Sequence, residues 1–161
     1  MTRILVTGMS GTGKSAALRL LGERGHRTVD TDDGPWNHWV TGEDGEREWV
    51  WREDAIAELL AGHREGALFV SGCTSNQVTF YPDFDHIVLL SAPADVILSR
   101  VAARTDNPYG RRPEERREIL DNLAMIEPLL RTGATLEIDT RAPLDEVVGR
   151  LEALAGRSKE N

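Results

Sequence analysis

The chain is predicted to be an α/β protein, a three-layer α/β/α sandwich built on a five-stranded parallel sheet. Three observations predict it. Short apolar runs that suit strands buried on both faces, at Arg3–Thr7, Ala67–Ser71 and Ile87–Leu90, alternate with stretches of helical period. The first run opens directly into Gly8-Met9-Ser10-Gly11-Thr12-Gly13-Lys14-Ser15, a glycine-rich turn between a strand and a helix. The length of 161 residues, 40% of them apolar, suits one domain with one hydrophobic core.

The predicted order is β-α-β-α-β, a loop with a short helix, then β-α-α-β-α. The first helix, from about Lys14 to Arg24, puts Ala17, Leu18 and Leu21 on one face, and Gly22 and Gly25 mark its exit. A short second strand, Arg27 to Asp30, ends in Asp30-Thr31-Asp32-Asp33-Gly34-Pro35. After a polar turn at Thr41 to Gly45, a helix is expected from about Glu46 to Ala61, with Ile56, Leu59 and Leu60 as core. Strand three, Ala67 to Ser71, runs into Gly72-Cys73-Thr74-Ser75-Asn76-Gln77. Strand four leads through Ser91-Ala92-Pro93, a cap and first-turn proline, into a helix ending near Arg104. The turn-rich stretch 105–112, Thr105 to Arg112, reads as a mobile lid. A helix from Pro113 to about Leu130, a strand from Ala134 to Asp139 and a helix from about Pro143 to Leu154 complete a single domain over 1–155. The tail 156–161 is expected to fray.

Composition narrows the function classes. No apolar run approaches the roughly 20 residues of a membrane span, and the N-terminus is a strand pattern rather than a signal peptide, so a cytoplasmic protein is expected. Cys73 is the single cysteine, which excludes an internal disulfide and a multi-cysteine zinc site. A formal charge of −8 argues against nucleic acid and anionic membrane as partners, since both require a basic face. Only Lys14 and Lys159 are lysines, so the one lysine in the body of the chain sits in the glycine turn.

That turn fits Gly-x-x-x-x-Gly-Lys-Ser/Thr without a mismatch. Its glycines let the backbone curl into a ring of inward N–H groups, Lys14 adds a point charge, and Ser15 is placed to ligate Mg²⁺. The nucleotide-binding set is therefore Gly8, Ser10, Gly11, Thr12, Gly13, Lys14, Ser15 and Ala16, with the helix dipole behind it. Phosphoryl transfer needs positioning and positive charge on the moving group, which Lys14, Mg²⁺ and lid arginines would supply. A metal on Ser15 also needs a carboxylate, and strand three ends in Ser71-Gly72 without the usual aspartate. Asp30 and Asp32 are the candidates, with turn capping as the alternative role; Asp30 ends the strand expected beside the phosphate loop.

The phosphate loop, the Asp30-Thr31-Asp32 run, Arg52, the glycine turn after strand three, the arginine-bearing lid and Ile138-Asp139-Thr140-Arg141 together resemble shikimate kinase, within the nucleoside-monophosphate-kinase-like family of small P-loop kinases. The resemblance covers nearly the whole chain. It implies ATP and Mg²⁺ as cofactors, Asp30 as a metal-side carboxylate and Asp32 beside the acceptor hydroxyl. Arg52 would grip the acceptor in a segment spanning about 31–62, with Gly72 and Cys73 lining its pocket. Arg100 and Arg141 would flank the adenine, and Arg104, Arg111 or Arg112 would close on the phosphates. It also implies a monomer or weak homodimer.

Two departures bear on the acceptor. The family's glycine triplet is Gly72-Cys73-Thr74 here, and the arginine that would hold a substrate carboxylate is matched by Ile126, in Ile126-Glu127-Pro128-Leu129. Trp36, Trp39, Trp49 and Trp51 all fall in or beside the acceptor segment, where aromatic faces suit a sugar ring, a base or an apolar body, or else pack the segment itself. The expected activity is ATP-dependent phosphorylation of a hydroxyl on a small metabolite other than shikimate. The alternatives are a nucleoside monophosphate kinase and a nucleotide-binding regulatory protein without small-molecule turnover. A GTPase switch is disfavoured because no Asn-Lys-x-Asp sequence occurs, and an AAA-type motor because strand three lacks an Asp-Glu pair.

Overall fold

The structure is a computed structural model and describes residues 1–105 and 107–156. Asp106 of the lid and 157–161 of the tail lie outside the described residues. Seven strands and five α-helices follow one another as β1 (Thr2–Thr7), α1 (Lys14–Glu23), β2 (Arg27–Asp30), β3 (Asn37–Thr41), β4 (Arg47–Trp51), α2 (Glu53–Gly62), β5 (Ala67–Ser71), β6 (His86–Ser91), α3 (Ala94–Ala103), α4 (Pro113–Gly133), β7 (Leu136–Asp139) and α5 (Leu144–Glu152) among the described residues. The main sheet is five-stranded and parallel in the order β2-β5-β1-β6-β7, in keeping with the predicted fold class.

Alternation along the strands divides the core. Ile4, Val6, Phe69, Val88 and Leu90 face α1 and α5, against Leu18, Leu21, Val147 and Leu151. Leu5, Leu68, Val70 and Ile87 face the other way, against Ile56, Leu59 and Leu60 of α2 and Phe80 and Phe84. Those two phenylalanines are set by the expected short helix, which is a 3₁₀ helix at Ser75–Asp83 with Phe84 as its C-cap. The helix is capped reciprocally by Thr74 and Gln77.

The order of strands corrects one expectation. β2 is the edge strand and pairs with β5, so β5 stands between Asp30 and the strand that feeds the phosphate loop. A second correction concerns 31–62, expected to be a helical acceptor segment. Glu46 to Trp51 is not helix; β3 and β4 form an antiparallel hairpin, with Trp39 opposite Trp49, and α2 starts only at Glu53. The turn decides this. Gly45 takes φ +79°, Gly42 N–H donates to the Glu46 carbonyl at 2.8 Å, and Glu46 N–H donates to Asp44 Oδ1 at 3.0 Å. The indoles of Trp39 and Trp49 then meet at 5.1 Å, with the Arg47 guanidinium 5.0 Å over Trp39.

Trp51 anchors the hairpin to the sheet. It is fully buried, packs against Phe80 at 5.9 Å, and donates through Nε1 to Thr31 Oγ1 at 2.9 Å. Thr31 Oγ1 in turn donates to the Ser71 carbonyl at 2.7 Å. At the C-terminal end α4 runs to Gly133, past the expected Leu130, and β7 begins at Leu136 rather than Ala134. Among the described residues no helix is long and apolar enough to cross a membrane.

Candidate functional site

The carboxyl ends of β1, β2 and β5 meet at the phosphate loop. A Cβ on Gly8 would lie 2.4 Å from the Leu90 carbonyl oxygen, so no other residue fits there. Gly11 and Gly13 take φ of +88° and +93°, and Gly13 caps α1 in the left-handed conformation. Thr12, fully buried, donates from Oγ1 to the Met9 carbonyl at 2.7 Å and pins the loop from beneath. Lys14 Nζ donates back to the carbonyls of Gly8 at 2.6 Å and Met9 at 3.2 Å. Withdrawal from water pushes the Lys14 ammonium below the ordinary lysine value, while the Asp32 and Asp30 carboxylates pull it back up.

Although β2 is not adjacent to β1, Ser15 Oγ donates to Asp30 Oδ2 at 2.8 Å. The other oxygen of Asp30 accepts the Asp32 N–H at 3.1 Å. A hydroxyl and a carboxylate oxygen are hard donors suited to Mg²⁺, an ion that keeps several waters and takes phosphate oxygens. Asp32 is exposed at the edge of this cluster. Partial loss of hydration raises its pKa above the ordinary carboxylate value, opposed by Lys14 and reinforced by Asp30 and Asp33.

Arg100 and Arg141 separate. Arg100 donates to the Gly11 carbonyl at 3.3 Å and to Oγ1 and the carbonyl of Thr140 at 2.8 and 2.7 Å. It borders a groove of about 300 Å³ with Thr12, Gly13, Ala16, Thr140 and Leu144, beside the N-terminus of α1. Arg141 turns out of that groove onto Asp139, at 2.7 Å. Of the lid arginines, Arg104 reaches the phosphate loop, with one guanidinium nitrogen 3.5 Å from Ser10 Oγ and a buried Nε that has no hydrogen-bond partner among the described residues. Arg111 instead donates to the carbonyls of Ala102, at 3.2 Å, and Arg104. Arg112 caps the start of α4, and its N–H and that of Gly110 both donate to Glu115 Oε1.

On the acceptor side, Gly72 is required by packing, since a Cβ there would sit 2.6 Å from Thr31 Oγ1 and 2.9 Å from the Trp51 ring. Cys73 lines a cleft of about 600 Å³ with Trp49, Gln77, Tyr81, Ile126 and Leu129. Burial pushes its thiol up, with Lys14 pulling down, so the group is neutral at physiological pH. Arg52 is not brought to this cleft. Its guanidinium lies 3.5 Å from the Pro35 carbonyl and borders a separate depression with Arg27, Trp36 and Glu58. Sequence reasoning misses Gln77. Its buried amide donates to Thr7 Oγ1 at 3.0 Å and to Tyr81 Oη at 3.2 Å, joining the cleft wall to the end of β1. A lone Gln in a polar loop carries no motif that would single it out.

A family model described as AAA domain matches residues 4–121. A curated relative from Cupriavidus metallidurans, named nucleotide-binding protein, is 33% identical over 141 residues, covering 77% of this chain and 47% of its own length. This chain thus spans about half the length of that relative. Among solved structures, a shikimate kinase from Acinetobacter baumannii in complex with shikimate superposes with a TM-score of 0.67 at 19% identity, over 96% of this chain and 92% of its own. A shikimate kinase from Bacteroides thetaiotaomicron gives 0.63 at 19%, over 95% and 97%. TT1252 from Thermus thermophilus gives 0.59 at 17%, over 95% of each. The fold is therefore the one these shikimate kinases have.

Proposed function

Since the chain belongs to the AAA domain family, we propose that it is an ATP-dependent kinase that transfers the γ-phosphoryl group to a hydroxyl of a small metabolite other than shikimate. The observation that carries this reading is the convergence of Ser15, Asp30, Asp32 and Lys14 at one sheet edge, with Ser15 Oγ on Asp30 Oδ2 at 2.8 Å. The backbone from Gly8 to Ala16 holds the triphosphate, and Arg100 borders the groove for the base. Ser15 and Asp30 would hold Mg²⁺, which neutralises charge on the phosphate oxygens when bound. The acceptor oxygen attacks the γ-phosphorus, the bond to the β–γ bridging oxygen breaks to leave ADP, and the hydroxyl proton passes to the Asp32 carboxylate. Lys14 follows the phosphoryl charge, and Arg104 supplies a second cation from the lid side. A cytoplasmic setting, with ATP and Mg²⁺ at hand, goes with this activity.

The Cupriavidus relative, known by its name only as a nucleotide-binding protein, favours a second reading: nucleotide binding without turnover of a small acceptor. The chain belongs to the AAA domain family, but β5 ends at Ser71 and is followed by Gly72, without the acidic pair of a motor. The two readings separate on ATP consumption by the full chain with a panel of sugars, cyclic polyols, ring-bearing apolar alcohols and nucleoside monophosphates. Turnover that depends on an alcohol supports the kinase. Nucleotide affinity with no acceptor-dependent turnover across the panel supports the second reading.

A further inference from the structure

The cleft that begins at Cys73 has walls that choose among acceptors. It lies between the β3–β4 hairpin, the 3₁₀ turns after β5 and α4, and its volume of about 600 Å³ is in the range of small-molecule sites. Trp49, Val78, Ile126 and Leu129 line it, and each is exposed in the free protein, so an apolar body entering there gains by covering them. The single formal charge on its described lining is the Glu48 carboxylate. The cations that could have served lie elsewhere, Arg27 and Arg52 on their own depression and Arg131 on Glu127 and Glu137. A carboxylate or phosphate ester would enter this cleft with no cation on its described lining to pair it and with Glu48 repelling it. The Cys73 end is the one within Coulombic reach of Lys14 and Asp32, where the transferred group would be.

Resting on the kinase reading, we infer that the acceptor is a neutral or cationic alcohol with an apolar, ring-bearing body, seated between Trp49 and Ile126 with its hydroxyl at the Cys73 end. Anionic polyols and nucleoside monophosphates are excluded by the same walls. The cleft discriminates by charge: Glu48 tolerates an ammonium and Ile126 rejects an anion.

Three probes of one shape test this: phenylpropanol, phenylalaninol and phenyllactate, which are neutral, cationic and anionic alcohols on the same ring. Binding to the full chain, loaded with a non-hydrolysable ATP analogue, is followed by saturation-transfer NMR and by tryptophan emission. The neutral and cationic probes are expected to bind at least about tenfold more tightly than phenyllactate, a difference of ~1.4 kcal/mol. Ile126→Arg, at a partly exposed position that tolerates a long side chain, should reverse the order, and Trp49→Ala should weaken all three. Equal or tighter binding of phenyllactate to the wild-type chain overturns the inference, as does failure of both other probes to bind beside the bound nucleotide. The kinase reading fails separately. If the probes rank as expected but no alcohol is ever phosphorylated, the cleft assignment stands without it; if anionic polyols alone are phosphorylated, the kinase stands and this inference falls.

Discussion

The kinase proposal gives Lys14, Asp30 and Asp32 different roles according to what surrounds each. On the proposed mechanism Lys14→Ala removes the charge that would follow the phosphoryl group, and turnover is expected to drop by a factor of about 10²–10³, with the fold retained. Comparing steady-state rates with circular dichroism spectra of the two proteins checks this; undiminished turnover would remove Lys14 from the mechanism. Asp30→Asn leaves Ser15 a weaker partner, so the Mg²⁺ concentration for half-maximal rate should rise, and a titration that superposes on the wild type would move the metal role elsewhere. Asp32 has its pKa raised by partial burial, and it accepts a proton only when ionised. The rate should therefore fall on acidification through a pKa above the ordinary carboxylate value. The same shift has a stability sign: ionised Asp32 is disfavoured in the fold, so Asp32→Asn should be slightly more stable at pH 7 and lose that advantage below about pH 4, where both states are protonated. Urea melts at the two pH values measure it; an Asn variant less stable at neutral pH would contradict the assignment.

Elements differ in how plainly the sequence announces them. The phosphate loop is legible because its backbone geometry admits only glycine at Gly8, Gly11 and Gly13, and that demand is written in residue identity. β1, β5 and β6 are legible because strands covered on both faces must be continuously apolar. β4 reads as helix since its first residues are exposed and Glu46, Arg47 and Glu48 suit a helix surface. The signal that identifies the hairpin is Asp44-Gly45 between two aromatic and β-branched runs. Which arginine faces the phosphate loop is not legible, because Arg104 and Arg111 differ in direction, not in kind. Arg104→Ala is thus expected to reduce turnover well beyond Arg111→Ala, and parallel kinetics on the two variants test it. The stretch Thr105 to Arg112, which the kinase proposal makes a lid, should show amides that exchange more slowly once nucleotide and acceptor are bound; identical exchange with and without ligands would make it a fixed loop.

For the whole molecule, ligand binding and folding are linked through the sheet edge. Nucleotide at about 100 times its dissociation constant adds ~2.7 kcal/mol to stability, which for a chain of this size raises Tm by about 5–10 °C. Scanning calorimetry with and without ATP·Mg²⁺ should show it, and an unmoved Tm would argue that the loop is not a nucleotide site. Trp51→Ala should act in the opposite direction. It empties a fully buried site and strips Thr31 of its partner, at a cost of about 3–5 kcal/mol.

The tilted pair of Trp39 and Trp49, with ring centroids 5.1 Å apart and planes at 54°, has an optical consequence. Two indole transitions held that close and skewed couple as excitons, giving the far-ultraviolet dichroism a signed couplet that neither ring produces alone. Because Trp49 also walls the Cys73 cleft, the couplet makes the hairpin its own chiroptical gauge: a guest that turns the Trp49 ring must change the couplet's amplitude, without any label being attached.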